Sequence, residues 1–255
     1  MIRTLLAVAF FTMIAIGSCV VLTHRAGFVN APPPFDDEIV VCGDFVHTGA
    51  PVVRWSDPRG YDGYLEHGFR DSENVLPTRP ARGCDTPRRY GVREFLTDDE
   101  PADCDGRTKR LLREHVDLLV MHYDAAGTSR RCFEVLHNER GLSAHFLVDV
   151  DGTIYQTLDV RERARHAGYA NDRSVGIEIA NVGAYEDPRE LYAKAKKLDN
   201  GYGVRTNVMV REYEPIAGYV QGRYVYQFPF TDAQYDSLVK LARALHDALP
   251  KIRLA

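Results

Sequence analysis

Short apolar segments that each carry an ionisable side chain dominate the stretch from Val116 to Asn181. These segments contain or adjoin His122, His145, His166 and Glu178. An ionisable group on a core strand is costly unless it is paired, hydrogen-bonded or bound to a metal. We therefore expect these segments to meet around one polar pocket.

The pattern of apolar residues predicts an α/β domain over residues 108–255, with a mixed central β-sheet flanked by helices. Strands are expected at 117–122, 144–150, 153–158 and 174–180, with Asp151-Gly152 as a hairpin turn between the middle two. Helices are expected at 108–114 and 128–140, the latter with Phe133, Leu136 and His137 facing inward. A tyrosine-rich insertion over 183–230 contains a ribbon near 219–228. A capping box at Thr231 and Gln234 starts the last helix, which Pro250 ends.

The segment before this domain has a different pattern. Residues 37–107 contain prolines, glycines, charges and only short apolar runs, without helical periodicity. We expect a loop-rich N-terminal extension that packs on the main domain.

The N-terminus is typical of an exported protein. Residues 5–22 are almost wholly apolar, which predicts a signal or membrane-anchor segment over 1–23, followed by a linker over 24–36. The sequence around Cys19 resembles a lipoprotein cleavage box, although Val20, Val21 and Leu22 continue the apolar run. Export with a lipid or helical anchor is the first interpretation; a cleaved signal peptide and a buried helix of a cytosolic domain are the alternatives.

Four further cysteines fit an oxidising compartment. Cys42, Cys84, Cys104 and Cys132 allow three disulfide pairings, and none has the spacing of a zinc or redox motif. Structural disulfides are the first interpretation, with buried thiols as the alternative.

The charge balance bears on the class of partner. The formal net charge is −4, with 45% hydrophobic and 27% charged residues. This is the composition of a globular protein, without the basic excess of a nucleic-acid-binding protein. The oligomeric state is not indicated by the sequence.

Two residues carry the strongest chemical signal. His122 ends an apolar strand, where open α/β sheets place their ligands. Alternation places Glu178 on one face of its strand between Gly176 and Ala180, which leaves room above the carboxylate for a substrate or a metal-bound water. Burial would raise the pKa of this carboxyl, as a general base near neutrality requires. The alternatives are a core histidine and a glutamate paired with Arg163 or Arg165.

Together, the motifs VMHY, GLSAHFLVDVDGTIYQ, RARHAG and NDRSVGIEIAN resemble the zinc-dependent N-acetylmuramoyl-L-alanine amidases of the amidase_2 and peptidoglycan recognition protein superfamily. The resemblance covers roughly residues 116–249. It implies hydrolysis of the amide between N-acetylmuramic acid and L-alanine in peptidoglycan or its fragments by a zinc-activated water.

The resemblance also implies roles for individual residues. His122 would be a Zn²⁺ ligand and Glu178 the base. His145 would lie under the metal site, with a supporting hydrogen bond favoured over ligation, and it is grouped with His166 and Asn171 as a residue of the substrate site. For His166 and Asn171 the alternative is a simple surface position.

The sequence departs from the family pattern at several positions. Ala144 stands where some relatives have a tyrosine, so Glu178 is the only candidate base. The two other expected zinc ligands, which follow the last helix in the family, do not occur before the chain ends at Ala255. His137, His145, His166 and Asp124 are the remaining donors, but their spacing does not support substitution.

Three explanations for the missing ligands are open. The chain is a C-terminally incomplete amidase, a metal-free peptidoglycan-binding module, or a domain that kept only the scaffold.

Overall fold

The computed structural model describes residues 36–65, 89–96, 106–199 and 213–254, and residues Asp36–Ala255 form one compact unit. The expected signal or anchor segment, Cys84 and Cys104 lie outside the described residues, as does nearly all of the linker. Among the described helices, none has both the length and the apolar character needed to cross a membrane.

A six-stranded mixed sheet forms the centre of the domain and confirms the expected fold class. Its strand order is β1-β2-β6-β5-β8-β4. The strands are β1 (Asp36–Val41), β2 (Asp44–Arg54), β4 (Leu118–Tyr123), β5 (Phe146–Val148), β6 (Ile154–Gln156) and β8 (Ser174–Ile179). β4 and β5 both run parallel to β8, whereas β5 and β6 form the expected antiparallel hairpin.

Two small sheets accompany the central one. β3 (Tyr90–Gly91) pairs with β7 (Arg163–Ala164). β9 (Ala184–Tyr185), β10 (Ile216–Val220) and β11 (Arg223–Gln227) form a three-stranded sheet in the tyrosine-rich insertion, where a ribbon was expected. The insertion also contains a helix, α3 (Pro188–Asp199), that the sequence pattern did not indicate.

Helices cover both faces of the central sheet. α1 (Gly106–His115) and α4 (Asp232–Ala248) contribute Leu112, Leu241 and Leu245 to the same hydrophobic core as Ile177 of β8. α2 (Ser129–Glu134) and the π-helix Val135–Arg140 that continues it pack on the opposite face, where Phe133 stacks on Tyr61. The predicted capping box is present, since the Thr231 side chain accepts from Gln234 N and the Gln234 side chain accepts from Thr231 N.

The first two strands differ from the expected loop-rich segment. β1 and β2 form a hairpin, and β2 also pairs in parallel with β6, so the segment contributes to the central sheet. Its turn lies at Cys42 and Gly43, which have φ values of 49° and 75°. The sequence pattern missed this hairpin because Cys-Gly is not a usual turn pair. The sheet therefore continues across the predicted boundary at residue 107.

Arg93 ties the segment 89–96 to the loops around β7 and β8. Its side chain is fully buried and donates hydrogen bonds to five backbone carbonyls, those of Val160, Arg161, Asn171, Asp172 and Ser174. Burial lowers the pKa of this guanidinium to about 10. Five carbonyl acceptors around one planar cation fix the relative positions of the chain segments that provide them.

We predict that Arg93→Met lowers the free energy of unfolding by at least about 3 kcal/mol, because the five carbonyls around the guanidinium lose their donor. Urea unfolding measures this loss. Arg189→Met is the matched control: the Arg189 side chain is 90% exposed and forms an ion pair with Asp187 at the surface, so a change below about 0.5 kcal/mol is expected. Equal stability of the two variants would contradict the assigned role of Arg93.

Candidate active site

A cavity of about 510 Å³ opens at the carboxyl ends of β4 and β8. His122 and Glu178 are register partners on these parallel strands, so their side chains share one face of the sheet. Both line the cavity together with His166 and Asp124. The structure thus brings together three of the five residues that the sequence singled out: His122, His166 and Glu178.

Glu178 is a buried carboxyl in this cavity. Burial raises its pKa from 4.5 to about 7, and the positive charge of Arg140 opposes this rise. The alternative of a pair with Arg163 is not found, because Arg163 bonds to Asp172 instead. No ion pair to Glu178 occurs among the described residues. A carboxyl of this kind exchanges a proton with its surroundings near neutral pH.

The side chains of His122 and His166 are in contact in the wall of the cavity. His122 Nε2 lies 3.4 Å from His166 Nδ1, and the two rings are almost perpendicular, at 82°. Burial lowers the pKa of His122 and, together with the charges of His122 and Arg93, lowers the pKa of His166 to about 4. Both imidazoles are therefore neutral near pH 7.

The ring of His166 occupies the space above Gly176. A Cβ atom at position 176 would lie only 2.6 Å from the His166 ring. The missing side chain at position 176 therefore makes room for an imidazole, and the space predicted above the neighbouring carboxylate is the cavity that Glu178 lines. His166 Nε2 is also 3.2 Å from Ser174 Oγ, at the start of the same strand.

Asn171 holds the loop that presents His166. Its Oδ1 accepts from the backbone N–H groups of His166 and Ala167, at 3.1 and 2.7 Å. The Asn171 side chain is buried. This geometry allows Asn171 to position the loop that carries His166.

His145 lies beneath the cavity and does not line it. The residue is fully buried, its Nδ1 accepts from Gly176 N–H at 3.0 Å, and its Nε2 is 2.9 Å from the Glu162 carbonyl oxygen. Both ring nitrogens are therefore occupied, with the proton assigned to Nε2. This geometry fits the supporting hydrogen bond suggested by the sequence rather than contact with a substrate.

Asp124 is a site residue to which sequence analysis gave little weight. Its Oδ1 accepts from the backbone N–H groups of Ala126, Gly127 and Asn181, which joins the ends of β4 and β8. Its Oδ2 is buried beside the Cys132 thiol, and burial raises the pKa of this carboxyl to about 7. The sequence signal for Asp124 was its position two residues after His122, directly after the end of β4, where strand alternation would direct both side chains to the same side.

Cys132 and the π-helix complete the cavity wall. Cys132 is a buried thiol without a disulfide to any described residue, and burial followed by the charges of Asp124 and Glu178 raises its pKa. The π-helix directs Leu136, Glu139 and Arg140 towards the cavity. π-Helical turns of this kind are frequent at functional sites.

The next feature is the set of side-chain atoms that could bind a metal ion. No group of three His, Cys, Asp or Glu side chains with the geometry to hold a metal ion occurs in the described part of the chain. Two imidazole nitrogens, His122 Nε2 and His166 Nδ1, lie 3.4 Å apart, and both rings are neutral near pH 7.

The residues around the cavity lie in the part of the chain that is similar to known proteins. A family model described as "Amidase_2: N-acetylmuramoyl-L-alanine amidase" matches residues 112–254, more than half of the chain. No curated protein matches the sequence.

Several solved structures are similar to parts of the chain. The N-acetylmuramyl-L-alanine amidase AmiD from E. coli, in complex with anhydro-N-acetylmuramic acid-L-Ala-D-gamma-Glu-L-Lys, is 22% identical with a TM-score of 0.37. The match covers 55% of this chain and 46% of AmiD, less than half of that protein. AmpD is 20% identical over 76% of this chain and 81% of AmpD, with a TM-score of 0.32. The endolysin amidase LysCS from Clostridium intestinale is 21% identical over 55% of this chain and 66% of LysCS, with a TM-score of 0.31.

We predict that Gly176→Ala destabilises the protein by about 1–3 kcal/mol, because the added methyl group collides with the His166 ring. Gly218→Ala is the matched control, since a Cβ there meets nothing within 4 Å. Chemical denaturation gives the two stabilities, and histidine ring NMR signals report on His166. If both variants were equally stable and the ring signals unchanged, the packing described here would be wrong.

The raised pKa of Glu178 predicts a pH-dependent stability. A folded-state pKa of about 7 against 4.5 unfolded stabilises the fold below the unfolded pKa, and this contribution is lost as pH rises through 7. Glu178→Gln lacks this loss, so its stability relative to the native protein should rise by about 1–3 kcal/mol between pH 4 and pH 8. Thermal and urea unfolding across that range test it; a pH-independent difference would show that the carboxyl is not perturbed.

Proposed function

The chain belongs to the Amidase_2 family of N-acetylmuramoyl-L-alanine amidases, and from this membership we propose that it hydrolyses the amide between N-acetylmuramic acid and L-alanine. The substrate is peptidoglycan or a muropeptide derived from it. The observation that carries the proposal is the buried Glu178, whose pKa is about 7, beside His122 in an open cavity. A proton carrier of this kind is what hydrolysis of an unactivated amide requires.

Glu178 would act first as a base and then as an acid. Ionised, it accepts one proton from the water that attacks the lactyl carbonyl carbon, as the new C–O bond forms. It then gives this proton to the alanine nitrogen, so that the C–N bond breaks and a neutral amine leaves. A pKa near 7 allows both transfers at neutral pH. Arg140 places a positive charge near the carboxyl and favours its ionised form.

Zinc is the cofactor that the family resemblance implies. The neutral imidazoles of His122 and His166 are donors that suit zinc, so the residues present fit the ion in part, and His122 is the ligand we assign to it. When bound, zinc polarises a carbonyl oxygen and lowers the pKa of water.

The cavity also suits the peptide part of a muropeptide. Arg140 and Lys194 line it, and neither forms an ion pair with another described residue. Their charges complement carboxylates of a peptide stem. His166 borders the same cavity, while Asn171 and His145 support the segments around it.

A non-catalytic peptidoglycan-binding module is the second candidate function. The observation that favours it is the lack of a three-donor metal cluster among the described residues. Such a module would bind wall fragments in the same cavity without cleaving them.

We also propose that the protein is exported and acts in the cell envelope. The apolar run over residues 5–22 and the lipobox-like sequence at Cys19 support a membrane anchor. Such an anchor would hold the amidase domain close to the cell wall.

We predict that Glu178→Gln lowers the rate of muropeptide cleavage about 10²–10⁴-fold, because the amide cannot accept a proton. Separation of the released peptide and sugar by liquid chromatography measures the rate. Glu190→Gln is the matched control, since Glu190 is exposed on α3 and its variant should keep full activity. Undiminished cleavage by Glu178→Gln would exclude the proposed base, and binding without cleavage by the native chain would establish the second candidate function.

A further inference from the structure

The tyrosine-rich insertion carries four aromatic rings on one face of its three-stranded sheet. Tyr219 and Tyr224 are register partners in the hairpin of β10 and β11, and Tyr226 is the register partner of Tyr185 in β9. Directly opposed residues, and residues two apart on one strand, point to the same side of a sheet. The ring centroids of Tyr219 and Tyr224 are 5.0 Å apart, and those of Tyr224 and Tyr226 are 5.6 Å apart. These four residues form what we term the tyrosine row.

The inner half of the tyrosine row is anchored and the outer half is exposed. Tyr185 and Tyr226 pack against the hydrophobic cluster that includes Leu191 of α3. Tyr219 and Tyr224 have exposed fractions of 78% and 46%. Adjacent exposed aromatic side chains are typical of an interaction surface. Tyrosine suits such a surface because its ring is apolar and its hydroxyl group forms hydrogen bonds.

The tyrosine row begins beside the cavity that Glu178 lines. A Cβ atom at position 183 would lie 3.4 Å from Ala125 Cβ and 3.7 Å from Tyr185 Cε2, so both residues adjoin Gly183. Ala125 also lines the cavity. A ligand that extends out of the cavity past Ala125 can therefore continue along the tyrosine row.

The proposed substrate is longer than the cavity. A volume of about 510 Å³ is that of a site for one small molecule, whereas peptidoglycan is a polymer of alternating amino sugars. Most of a bound strand must therefore lie on the surface outside the cavity. The C–H groups on the face of a sugar ring pack on aromatic rings, and the polar groups at its edge bond to tyrosine hydroxyls.

The charge of the hairpin distinguishes between possible ligands. β10 and the turn Gln221-Gly222 contain no charged residue, and the single charged residue of β11, Arg223, is paired with Glu186. Surfaces that bind membranes or nucleic acids combine apolar residues with an excess of Lys and Arg. An uncharged aromatic surface favours an uncharged partner. The sugar backbone of peptidoglycan is uncharged where its lactyl groups are joined to peptides as amides.

We propose that the tyrosine row binds the glycan strand of peptidoglycan outside the cavity, with sugar rings packed on Tyr219 and Tyr224. The identity of the polymer rests on the proposed function. The tyrosine row then holds the intact polymer while one peptide-bearing sugar enters the cavity beside Glu178. A short soluble muropeptide is bound by the cavity alone.

Co-sedimentation of the full chain with insoluble peptidoglycan tests the proposal. Glu178→Gln serves as the background, because slow cleavage leaves the polymer intact. Tyr219→Ser combined with Tyr224→Ser should weaken binding at least about tenfold in this background, since two aromatic contacts are lost. Tyr235→Ser is the matched control, because Tyr235 is exposed to a similar extent on α4, outside the tyrosine row. Its polymer binding should equal that of the background.

Cleavage assays separate the tyrosine row from the cavity. In the otherwise native chain, the double substitution should lower cleavage of insoluble peptidoglycan about tenfold and leave cleavage of a short muropeptide unchanged. A measurement on the native chain avoids variants that fail to fold. With ¹³C-labelled tyrosine, a soluble oligosaccharide of β-linked N-acetylglucosamine should shift the NMR ring signals of Tyr219 and Tyr224.

The outcomes distinguish the proposal from the proposed function. Unshifted ring signals, or native polymer binding by the double variant, would overturn the proposal. Tyrosine-dependent binding to phosphatidylglycerol vesicles and not to peptidoglycan would also overturn it. If the double variant bound polymer normally while Glu178→Gln lost muropeptide cleavage, the proposal would fail and the proposed function would stand. Tyrosine-dependent polymer binding by a chain that cleaves no muropeptide would give the reverse outcome.

Discussion

The position of the His166 ring over Gly176 is the constraint on which the rest of the site depends. Only a residue without Cβ admits the imidazole at 2.6 Å from the ideal Cβ position. From there His166 reaches both His122 and Ser174. Asn171 holds the preceding backbone, and Arg93 binds the carbonyls of Asn171, Asp172 and Ser174 from below. The geometry of the site is thus built from buried polar contacts between distant chain segments, which explains why a loop can present a histidine accurately.

Burial sets the protonation of the groups in the cavity. It raises the pKa values of Glu178 and Asp124 to about 7 and lowers those of His122 and His166. All four side chains are therefore at least partly neutral near pH 7. Removing ionisable groups from water lowers the stability of the fold. Such groups are nevertheless common in active sites, because catalysis requires perturbed pKa values there. The concentration of perturbed groups in one cavity is the electrostatic basis of the proposed amidase activity.

Much of the fold could be predicted from local patterns. The strand that bears His122, the Asp151-Gly152 hairpin, the strand that bears Glu178 and the capped last helix all have clear periodicity or turn signals, and the structure contains each. The alternation around Glu178 also predicted which face it shares with Gly176. The hairpin β1–β2 was missed because its turn is formed by Cys42 and Gly43, and α3 was missed within a tyrosine-rich segment that was interpreted as an insertion with a ribbon.

Long-range contacts could not be predicted in this way. Nothing in the local sequence indicates that Arg93 reaches carbonyls almost eighty residues away, or that Asn171 bonds to the backbone of the His166 loop. The sequence predicted free space beside Gly176. The ring that fills this space belongs to His166, ten residues earlier in the chain. The family resemblance supplied the roles of His122 and Glu178, whereas the pairing of His122 with His166 is visible only in three dimensions.

Cleavage of a purified muropeptide in ¹⁸O-labelled water tests the central claim most directly. If the cavity around Glu178 directs water to the lactyl amide, mass spectrometry will find one ¹⁸O atom in the lactyl carboxyl group of the sugar product and an unlabelled peptide that begins with L-alanine. Label at a different bond, or an intact muropeptide after incubation with the zinc-supplemented full chain, would contradict it.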